Sequence, residues 1–210
     1  MTETHRRDWV EIGATVLLAL AAVATAWSSY QATRWNGEQA KTASRVNKTR
    51  FEATRASDLA NAQTEVDVAT FIQWVDAYAQ KEPELTSFYR RRFRDEFKPA
   101  FDAWVATKPL KTEDAPETPF AMPEYRLAAK ARAQRFDREA ERLAAQVRRD
   151  IQRASNYVLA VVLFAVALFF AGMSTRLGTR GLREGMLGVG WVVFLGAVAW
   201  IATSPVSVGI

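Results

Sequence analysis

The stretch RRDIQRASNYVLAVVLFAVALFFAGM, residues 148–173, passes from charged to apolar side chains with neither glycine nor proline at the junction. A helix that begins in the charged half therefore meets no stop signal before it enters the apolar half. Residues 157–173 carry no charge, and their length is close to the minimum that crosses a bilayer as a helix. The sequence predicts one continuous helix that leaves water and spans a membrane.

Two further apolar stretches have the length of membrane spans. In residues 9–30, Trp9 and Trp27 would lie about 27 Å apart along a helix, which suits the two interfacial belts of a bilayer. The other stretch covers residues 186–204 and contains Trp191 and Trp200. We therefore expect an all-α membrane protein with three transmembrane helices.

A cleaved signal peptide is an alternative for the first stretch. His5, Arg6 and Arg7 precede it, and residues 24–26 (ATA) resemble a small-residue cleavage site. Hydrophobicity continues to Tyr30, however, and the bulky Trp27 would directly follow the cut. We predict a retained anchor.

The composition changes between the first two spans. Residues 31–155 hold 23 of the 28 Lys and Arg and 19 of the 23 Asp and Glu, so they form a solvated domain that is only slightly basic. The predicted division is a polar tail 1–8, transmembrane helix 1 at 9–30, the extramembrane helical domain 31–155, transmembrane helix 2 at 156–173, a short basic loop 174–185, transmembrane helix 3 at 186–204 and a tail 205–210.

Proline and glycine positions divide the extramembrane domain into helices at about 35–80, 84–107 and 123–155, with a loop at 108–122. Apolar and small residues recur at alternating spacings of three and four in the first and last of these helices. Such seams favour an antiparallel helical hairpin, a coiled-coil-like stalk. The predicted seam residues are Leu59, Ala62, Val66 and Ala69 in the first helix, and Ala133, Phe136, Ala140, Leu143, Val147, Ile151, Ala154 and Val158 in the last.

The middle helix carries an aromatic face. Four aromatic residues repeat at a spacing of four, with a tryptophan beside them: Tyr89, Phe93, Phe97, Phe101 and Trp104. Such a stripe is either the core contact of a helix lying on its neighbours or an interaction face for a partner. Both hypotheses stay open, and proline at position 99 is expected to kink the helix.

The same helix contains the basic run RRRFR, residues 90–94, which could bind anions such as phospholipid headgroups. Acidic residues at i,i+4 spacing offer local partners for this region, in the pairs Arg91–Asp95, Arg92–Glu96 and Lys98–Asp102. The spacing favours an ion-paired, solvated face over an anion site.

The residue inventory argues against several function classes. The chain has no cysteine and a single histidine, His5, so no metal site, cofactor site or catalytic residue is predicted, and the protein is expected not to be an enzyme. No ionisable residue lies mid-span, which argues against an ion-coupled transporter. The mixed charges give no positive stripe, so no nucleic-acid partner is expected.

Three sequence runs carry a resemblance. ATAWSSYQATRW, TPFAMPEY and LFFAGMSTR resemble runs in an uncharacterised group of bacterial three-span membrane proteins with a long helical loop domain and no assigned function. The runs lie at both membrane ends and in the loop before the long helix. The resemblance implies the architecture and a bacterial source, and it carries over no functional residue.

Charge in the short segments sets an expected orientation. Arg6, Arg7 and the basic loop at 176–183 would lie in the cytoplasm, which makes the domain at 31–155 extracytoplasmic. Basic residues close to the membrane on the domain side oppose this placement: Arg34, Lys41, Arg45, Arg148, Arg149 and Arg153. We expect a multi-pass protein of the bacterial cytoplasmic membrane with the helical domain outside.

These exclusions leave an interaction function. We expect a non-enzymatic membrane scaffold whose helical stalk presents the aromatic helix and the proline-rich loop at 108–122 to a partner. Expected partners are the lipid bilayer and either another protein or further copies of the chain, held through small-residue faces of the spans. The alternative is a subunit of a homo-oligomeric channel or pore, in which Ser28 and Ser29 line the pore once several copies assemble.

The orientation can be tested at position 112, because the chain contains no native cysteine. We expect Thr112→Cys to react with a membrane-impermeant maleimide in intact cells, since the predicted loop lies outside the cytoplasm. Labelling only after lysis would place the domain in the cytosol and reverse the orientation.

Overall fold

A computed structural model describes residues 2–109, 111, 112 and 114–207, with side chains from residue 9 onward. The described residues form helices joined by turns and irregular segments, and they contain no strand. The elements are α1 (Thr2–Ala79), α2 (Pro83–Arg92), α3 (Lys98–Ala106), a 3-10 turn (Pro119–Ala121), α4 (Ala128–Ser174) and α5 (Arg180–Ala202). Residues 208–210 of the predicted tail and Met1 lie outside the described residues.

The first helix is longer than the sequence predicts. The predicted helices 9–30 and 35–80 are one element of 78 residues, and Asn36-Gly37 does not interrupt it. The helix ends at a left-handed residue, Lys81, with φ of 61°. The amide of Lys81 donates to Tyr78 O at 3.1 Å and that of Glu82 donates to Ala77 O at 3.0 Å. These two bonds satisfy carbonyls that a helix end otherwise leaves without partners.

Three helices are long and apolar enough to cross a membrane: those containing residues 9–79, 128–174 and 180–202. They indicate a multi-pass membrane protein. The chain divides into two compact units. Unit 1 consists of residues 1–44 and 143–210, and unit 2 consists of residues 45–142.

Unit 1 packs its three apolar helices mainly through small residues. Alanine faces allow helix backbones to approach closely, which is how helices associate where lipid supplies no hydrophobic drive. The buried cluster comprises Leu17, Ala21, Ala160, Phe164, Ala167, Ala171, Phe194 and Ala197. On α4 the predicted seam residue Ala154 is buried, as are Asp150 and Tyr157, whereas the predicted Ile151 and Val158 are 47% and 50% exposed. A straight helix drifts against a strict seven-residue repeat, so on either side of Ala154 the buried position lies one residue earlier than predicted.

One glycine of α5 marks a close helix contact. A Cβ added at Gly190 would lie 3.1 Å from Leu17 Cδ2 and 3.4 Å from both Ala167 O and Phe170 Cβ. At Gly188, on the same helix, a Cβ would meet nothing within 4 Å. Gly190 therefore permits the approach of α5 to α1 and α4, and Gly188 does not contribute to it.

Polar contacts tie the segments of unit 1 together. The Arg183 guanidinium lies 3.8 Å from a carboxylate oxygen of Glu11 and donates to Ser174 O at 3.0 Å. Elsewhere in the unit, the amide of Ser207 donates to Gln31 Oε1 at 3.0 Å. The hydroxyl of Tyr157 donates to Pro205 O at 3.3 Å. The short basic loop and the C-terminal segment are thus both fixed to helices of the unit.

In unit 2, α1 does not use the predicted seam. Leu59 and Val66 are 48% and 51% exposed, and the buried positions lie on a different face: Ala53, Ala56, Ala60, Asp67 and Phe71. Ala60 packs with Leu127 and Ala129 at the start of α4. Small side chains permit this close contact, so packing selects the alanine face although the other face is more apolar.

The helix α4 begins five residues later than the predicted start at Pro123. Residues 123–127 form a turn and an irregular segment instead. This conformation directs Tyr125 and Leu127 into unit 2, where both pack against Ala60 and Ala129. Burial of these two side chains therefore outweighs the local preference for proline in a first helical turn.

Gly190→Leu should lower the thermal stability of unit 1. The added side chain must displace backbone and side-chain atoms that already lie at contact distance, and such overpacking costs about 1–3 kcal/mol. The measurement is the thermal unfolding of the full chain in detergent, followed by circular dichroism.

Gly188→Leu is the matched control, since its side chain enters open space and leucine favours helix by roughly 1 kcal/mol over glycine. Equal transitions for the two variants would contradict the assigned contact.

Candidate functional site

The chain breaks between α2 and α3 in unit 2. Phe93 is extended, with φ of −56° and ψ of 142°, and α3 starts at Lys98. Pro99 has no amide hydrogen to donate to the carbonyl of Asp95, and its ring would clash there in a continuous helix. The predicted helix 84–107 is therefore two helices, and the residues between them turn inward.

The break gathers aromatic side chains into a core. The buried cluster contains Phe71, Phe93, Phe97, Phe101 and Trp104, and Trp74, Phe120, Met122 and Tyr125 pack against it. Phe93 lies 4.9 Å from Phe97 and 4.8 Å from Phe101 between ring centroids, both close to edge-to-face. Such geometry is favourable for aromatic pairs.

The structure places the predicted interaction face within this core. Phe93, Phe97, Phe101 and Trp104 are each at most 7% exposed. Tyr89 is partly exposed, and its hydroxyl lies 3.5 Å from Gln73 Oε1. The stripe thus corresponds to the first of the two hypotheses, a core contact, because the break brings Phe93 and Phe97 to the same side as the rings of α3.

Charges around the break pair differently from the predicted i,i+4 pattern. The observed ion pairs are Arg90–Asp102 at 2.8 Å, Lys98–Asp95 at 2.7 Å, Arg94–Glu96 at 2.6 Å and Arg94–Asp67 at 2.8 Å. The predicted pairs Arg91–Asp95 and Arg92–Glu96 cross the interruption, so their members no longer share a helix face. Lys98 and Asp102 both lie in α3, but they pair with Asp95 and Arg90 instead of with each other.

Asp67 lies at the centre of a buried polar network. It is fully buried, Arg94 Nη1 donates to its Oδ2 at 2.8 Å, and the Tyr125 hydroxyl donates to the same oxygen at 3.1 Å. Burial raises the pKa of Asp67, while the bond from Tyr125 and the charge of Arg94 oppose that rise. Burial also raises the pKa of Tyr125. The network therefore holds one carboxylate away from water with a cation and a phenol.

Glu96 extends the network to α4. It accepts from Arg94 through one oxygen, and its other oxygen accepts from the amide of Ala128 at 3.1 Å. A carboxylate at a helix start satisfies an amide that has no partner within the helix and favours the positive end of the dipole. Glu96 thus caps α4 from 32 residues away.

An open cleft lies beside the aromatic core, at the C-terminal ends of α1 and α3. Its volume is about 360 Å³. Its walls are largely apolar, and its lining residues are Trp74, Val75, Tyr78, Trp104, Val105, Lys108, Pro109 and Lys111. We call it the tryptophan cleft. Pockets of this size commonly hold one small ligand or a few side chains of a partner.

The walls of the tryptophan cleft are held by their neighbours. Trp74 stacks on Tyr78 with ring centroids 5.3 Å apart and meets Phe101 edge-to-face at 4.8 Å. The Trp104 indole nitrogen donates to Pro116 O at 2.7 Å, which ties the proline-rich loop to α3. The aromatic walls are therefore formed before any ligand binds.

Two lysines lie on the side of the cleft formed by the loop. Lys108 follows α3 in a left-handed conformation with φ of 53°, and its carbonyl accepts from the amides of Lys111 and Thr112 at 2.8 and 3.1 Å. A residue with a Cβ pays about 1–2 kcal/mol for this conformation. The turn keeps Lys108 and Lys111 next to the apolar walls, and no acidic side chain is among the described residues that line the cleft.

The sequence did not identify this cleft. Its signals are an aromatic pair at i,i+4, Trp74 and Tyr78, at the end of α1, together with a loop that contains three prolines. Neither signal indicates that the ends of α1 and α3 meet, because that meeting depends on the break before Pro99.

Two features of unit 2 bear on what it can bind: a buried ion pair and the tryptophan cleft. Among the described residues, no group of three or more His, Cys, Asp and Glu could hold a metal ion. Asp67, the one fully buried carboxylate among the described residues of unit 2, is engaged by Arg94 and Tyr125 inside the core. The tryptophan cleft offers apolar surface and positive charge. No protein-family model, curated protein or solved structure matches the chain.

Arg94→Leu should destabilise unit 2 by about 3 kcal/mol near pH 7, because it leaves the buried Asp67 carboxylate without its cation. The measurement is urea unfolding of the full chain in detergent. Arg90→Leu is the matched control. Its partner Asp102 is half exposed, so we expect a loss below about 1 kcal/mol.

The pH dependence has a definite sign. The pKa of Asp67 in the folded chain lies above its ordinary value of 3.8, so the folded state binds more protons and stability falls as pH rises through this window. Removing Arg94 raises the folded pKa further. Stability of Arg94→Leu should therefore fall more steeply than that of the unmodified chain between about pH 4 and 7. Parallel pH profiles would contradict the pairing.

Proposed function

We propose that the protein is a non-enzymatic interaction or scaffold protein of the bacterial cytoplasmic membrane and that a protein partner docks in the tryptophan cleft. The observation that carries the proposal is the composition of the cleft. Val75, Tyr78 and Val105 present 41%, 51% and 44% of their surface to solvent beside two fixed tryptophans. Apolar surface gathered in a concave, preformed site is typical of recognition.

The same segments were predicted to meet a partner on sequence grounds. The sequence favoured the aromatic helix and the proline-rich loop as the interacting parts. The cleft is built from the end of that helix, the start of the loop and the end of α1. The proposal therefore transfers the interaction from the buried aromatic stripe to the exposed surface next to it.

The proposal includes an antiparallel helical stalk outside the cytoplasm. Contacts within the units support the antiparallel direction. In unit 2, Ala60 of α1 packs with Ala129 of α4. In unit 1, Trp35 packs with Tyr157, and Leu17 packs with Phe164. As the residue number falls along α1, the number of its contact on α4 rises. The extracytoplasmic placement rests on the charge of the short segments.

The channel alternative receives less support from unit 1. It requires the polar end of the first span to face a pore in the assembled oligomer. Ser28 is only 1% exposed and lies within the unit, so it would not reach such a pore unless the helices repacked. Ser29 is exposed. Its neighbours at i−4 and i+4, Thr25 and Thr33, donate their hydroxyls to carbonyls of α1, so this face is a weak lining for ions.

The docking proposal can be tested by crosslinking in cells. The photoreactive residue p-benzoylphenylalanine would replace Val105 in the cleft or Val66, an exposed valine on another face of unit 2. We expect one discrete crosslinked product from position 105 and none from position 66. Val75→Trp should abolish the product at position 105, because the larger side chain occupies the cleft.

Three results would count against docking in the cleft. They are equal crosslinking at both positions, no product at position 105, and a product that persists after Val75→Trp. Detergent-solubilised mass provides the parallel measurement for the alternative. A ring of several copies would favour the channel, and a monomer would exclude it.

A further inference from the structure

The described lining of the tryptophan cleft carries charge of one sign. Among these residues, Lys108 and Lys111 lie beside apolar walls and none is a carboxylate. Both lysines are exposed, so their charges reach the solvent from which a ligand arrives. On α3, Asp102 is paired with Arg90, so it does not neutralise the positive side of the cleft.

Aromatic walls alone would also suit a cationic ligand, because the face of an indole attracts positive charge. The two lysines reverse that preference. Two like charges at close range near a protein surface repel each other, and salt screens this repulsion. A cationic group that entered the cleft would pay this cost, whereas an anionic group would gain from it.

We propose that the occupant of the cleft is an acidic amphipathic segment of the partner protein. The segment places a bulky apolar side chain against the exposed apolar residues of the cleft, Val75, Tyr78 and Val105, and directs adjacent carboxylates toward Lys108 and Lys111. This inference rests on the proposed function, because it specifies the chemistry of the segment that docks there. The volume of about 360 Å³ suits one or two large side chains rather than a folded domain.

The backbone supports a dedicated position for Lys108. It occupies the left-handed region, where glycine or asparagine is the usual helix-ending residue. In the turn that follows, two amides donate to the Lys108 carbonyl, and Lys111 lines the same cleft as Lys108. Lys108 and Lys111 thus line the cleft together with its apolar residues, and a ligand can contact the apolar and charged parts together.

The test uses the full chain in nanodiscs of zwitterionic lipid, with tryptophan fluorescence as the readout. The probe is the peptide Ac-Phe-Glu-Glu-NH2, in which phenylalanine supplies the apolar group. Two matched peptides remove one feature each: Ac-Phe-Gln-Gln-NH2 lacks the charges, and Ac-Gly-Glu-Glu-NH2 lacks the ring. Octanoate tests whether a simple amphiphilic anion occupies the same cleft.

We expect saturable binding of Ac-Phe-Glu-Glu-NH2 that weakens as salt is raised, and weaker binding of both matched peptides. The double variant Lys108→Gln, Lys111→Gln should weaken it about fivefold, as expected for two solvent-exposed ion pairs. Lys81→Gln is the control. Lys81 also ends a helix in the left-handed conformation but does not line the cleft, so affinity should stay unchanged.

A charge reversal gives a second, independent measurement. The double variant Lys108→Glu, Lys111→Glu should no longer bind Ac-Phe-Glu-Glu-NH2 and should bind Ac-Phe-Lys-Lys-NH2 more tightly. Equal binding of the acidic and neutral peptides, or no binding of any peptide, would overturn the proposal. Saturable octanoate binding that the acidic peptide does not compete with would also overturn it, in favour of an amphiphilic small molecule.

The two proposals fail separately. If position 105 still crosslinks in cells while no acidic peptide binds, the cleft has a partner of different chemistry. If an acidic peptide binds but position 105 yields no product in cells, the cleft recognises this chemistry and the scaffold function loses its support.

Discussion

The ion pair between Asp67 and Arg94 constrains the architecture of unit 2. A carboxylate that water cannot reach needs a compensating charge and hydrogen bonds where it lies. Asp67 obtains them from Arg94 and Tyr125, two residues on separate later segments. Arg94 can reach Asp67 because the chain is extended at Phe93, and Tyr125 can because α4 starts only at Ala128. The break between α2 and α3 and the late start of α4 therefore both allow the buried Asp67 carboxylate to be paired.

The two units solve their packing problems with different side chains. Unit 1, which contains the three apolar segments long enough to cross a membrane, packs mainly through alanine and allows close backbone contacts. Unit 2 packs aromatic rings from α1, α3 and the loop against each other. Aromatic rings supply large apolar area per residue, which a short insertion between long helices needs in order to be stable in water. The exposed end of this ring cluster forms the walls of the tryptophan cleft.

The sequence predicted the features that depend on local composition. Three apolar helices and the end of α1 near Lys81 follow from hydropathy and from Pro83. The choice of buried face did not follow, because Leu59 and Val66 are more apolar than the alanines that pack. The helix break was placed as a kink at Pro99 although the chain already departs from helix at Phe93. The cleft could not be predicted, since its walls come from segments about 30 residues apart that only the break brings together.

The capping of α4 by Glu96 has a consequence for how unit 2 folds. The network joins residues separated by 27, 32 and 58 positions, so each bond closes a long loop. Arg94 bonds both Asp67 and Glu96, and Glu96 also bonds the first turn of α4. The loop-closing bonds therefore have residues in common. The segment from Pro83 to Met122 therefore could not be removed to leave two independent helices, because its bonds link α1 to α4. Unit 2 is expected to fold and unfold as a single cooperative unit.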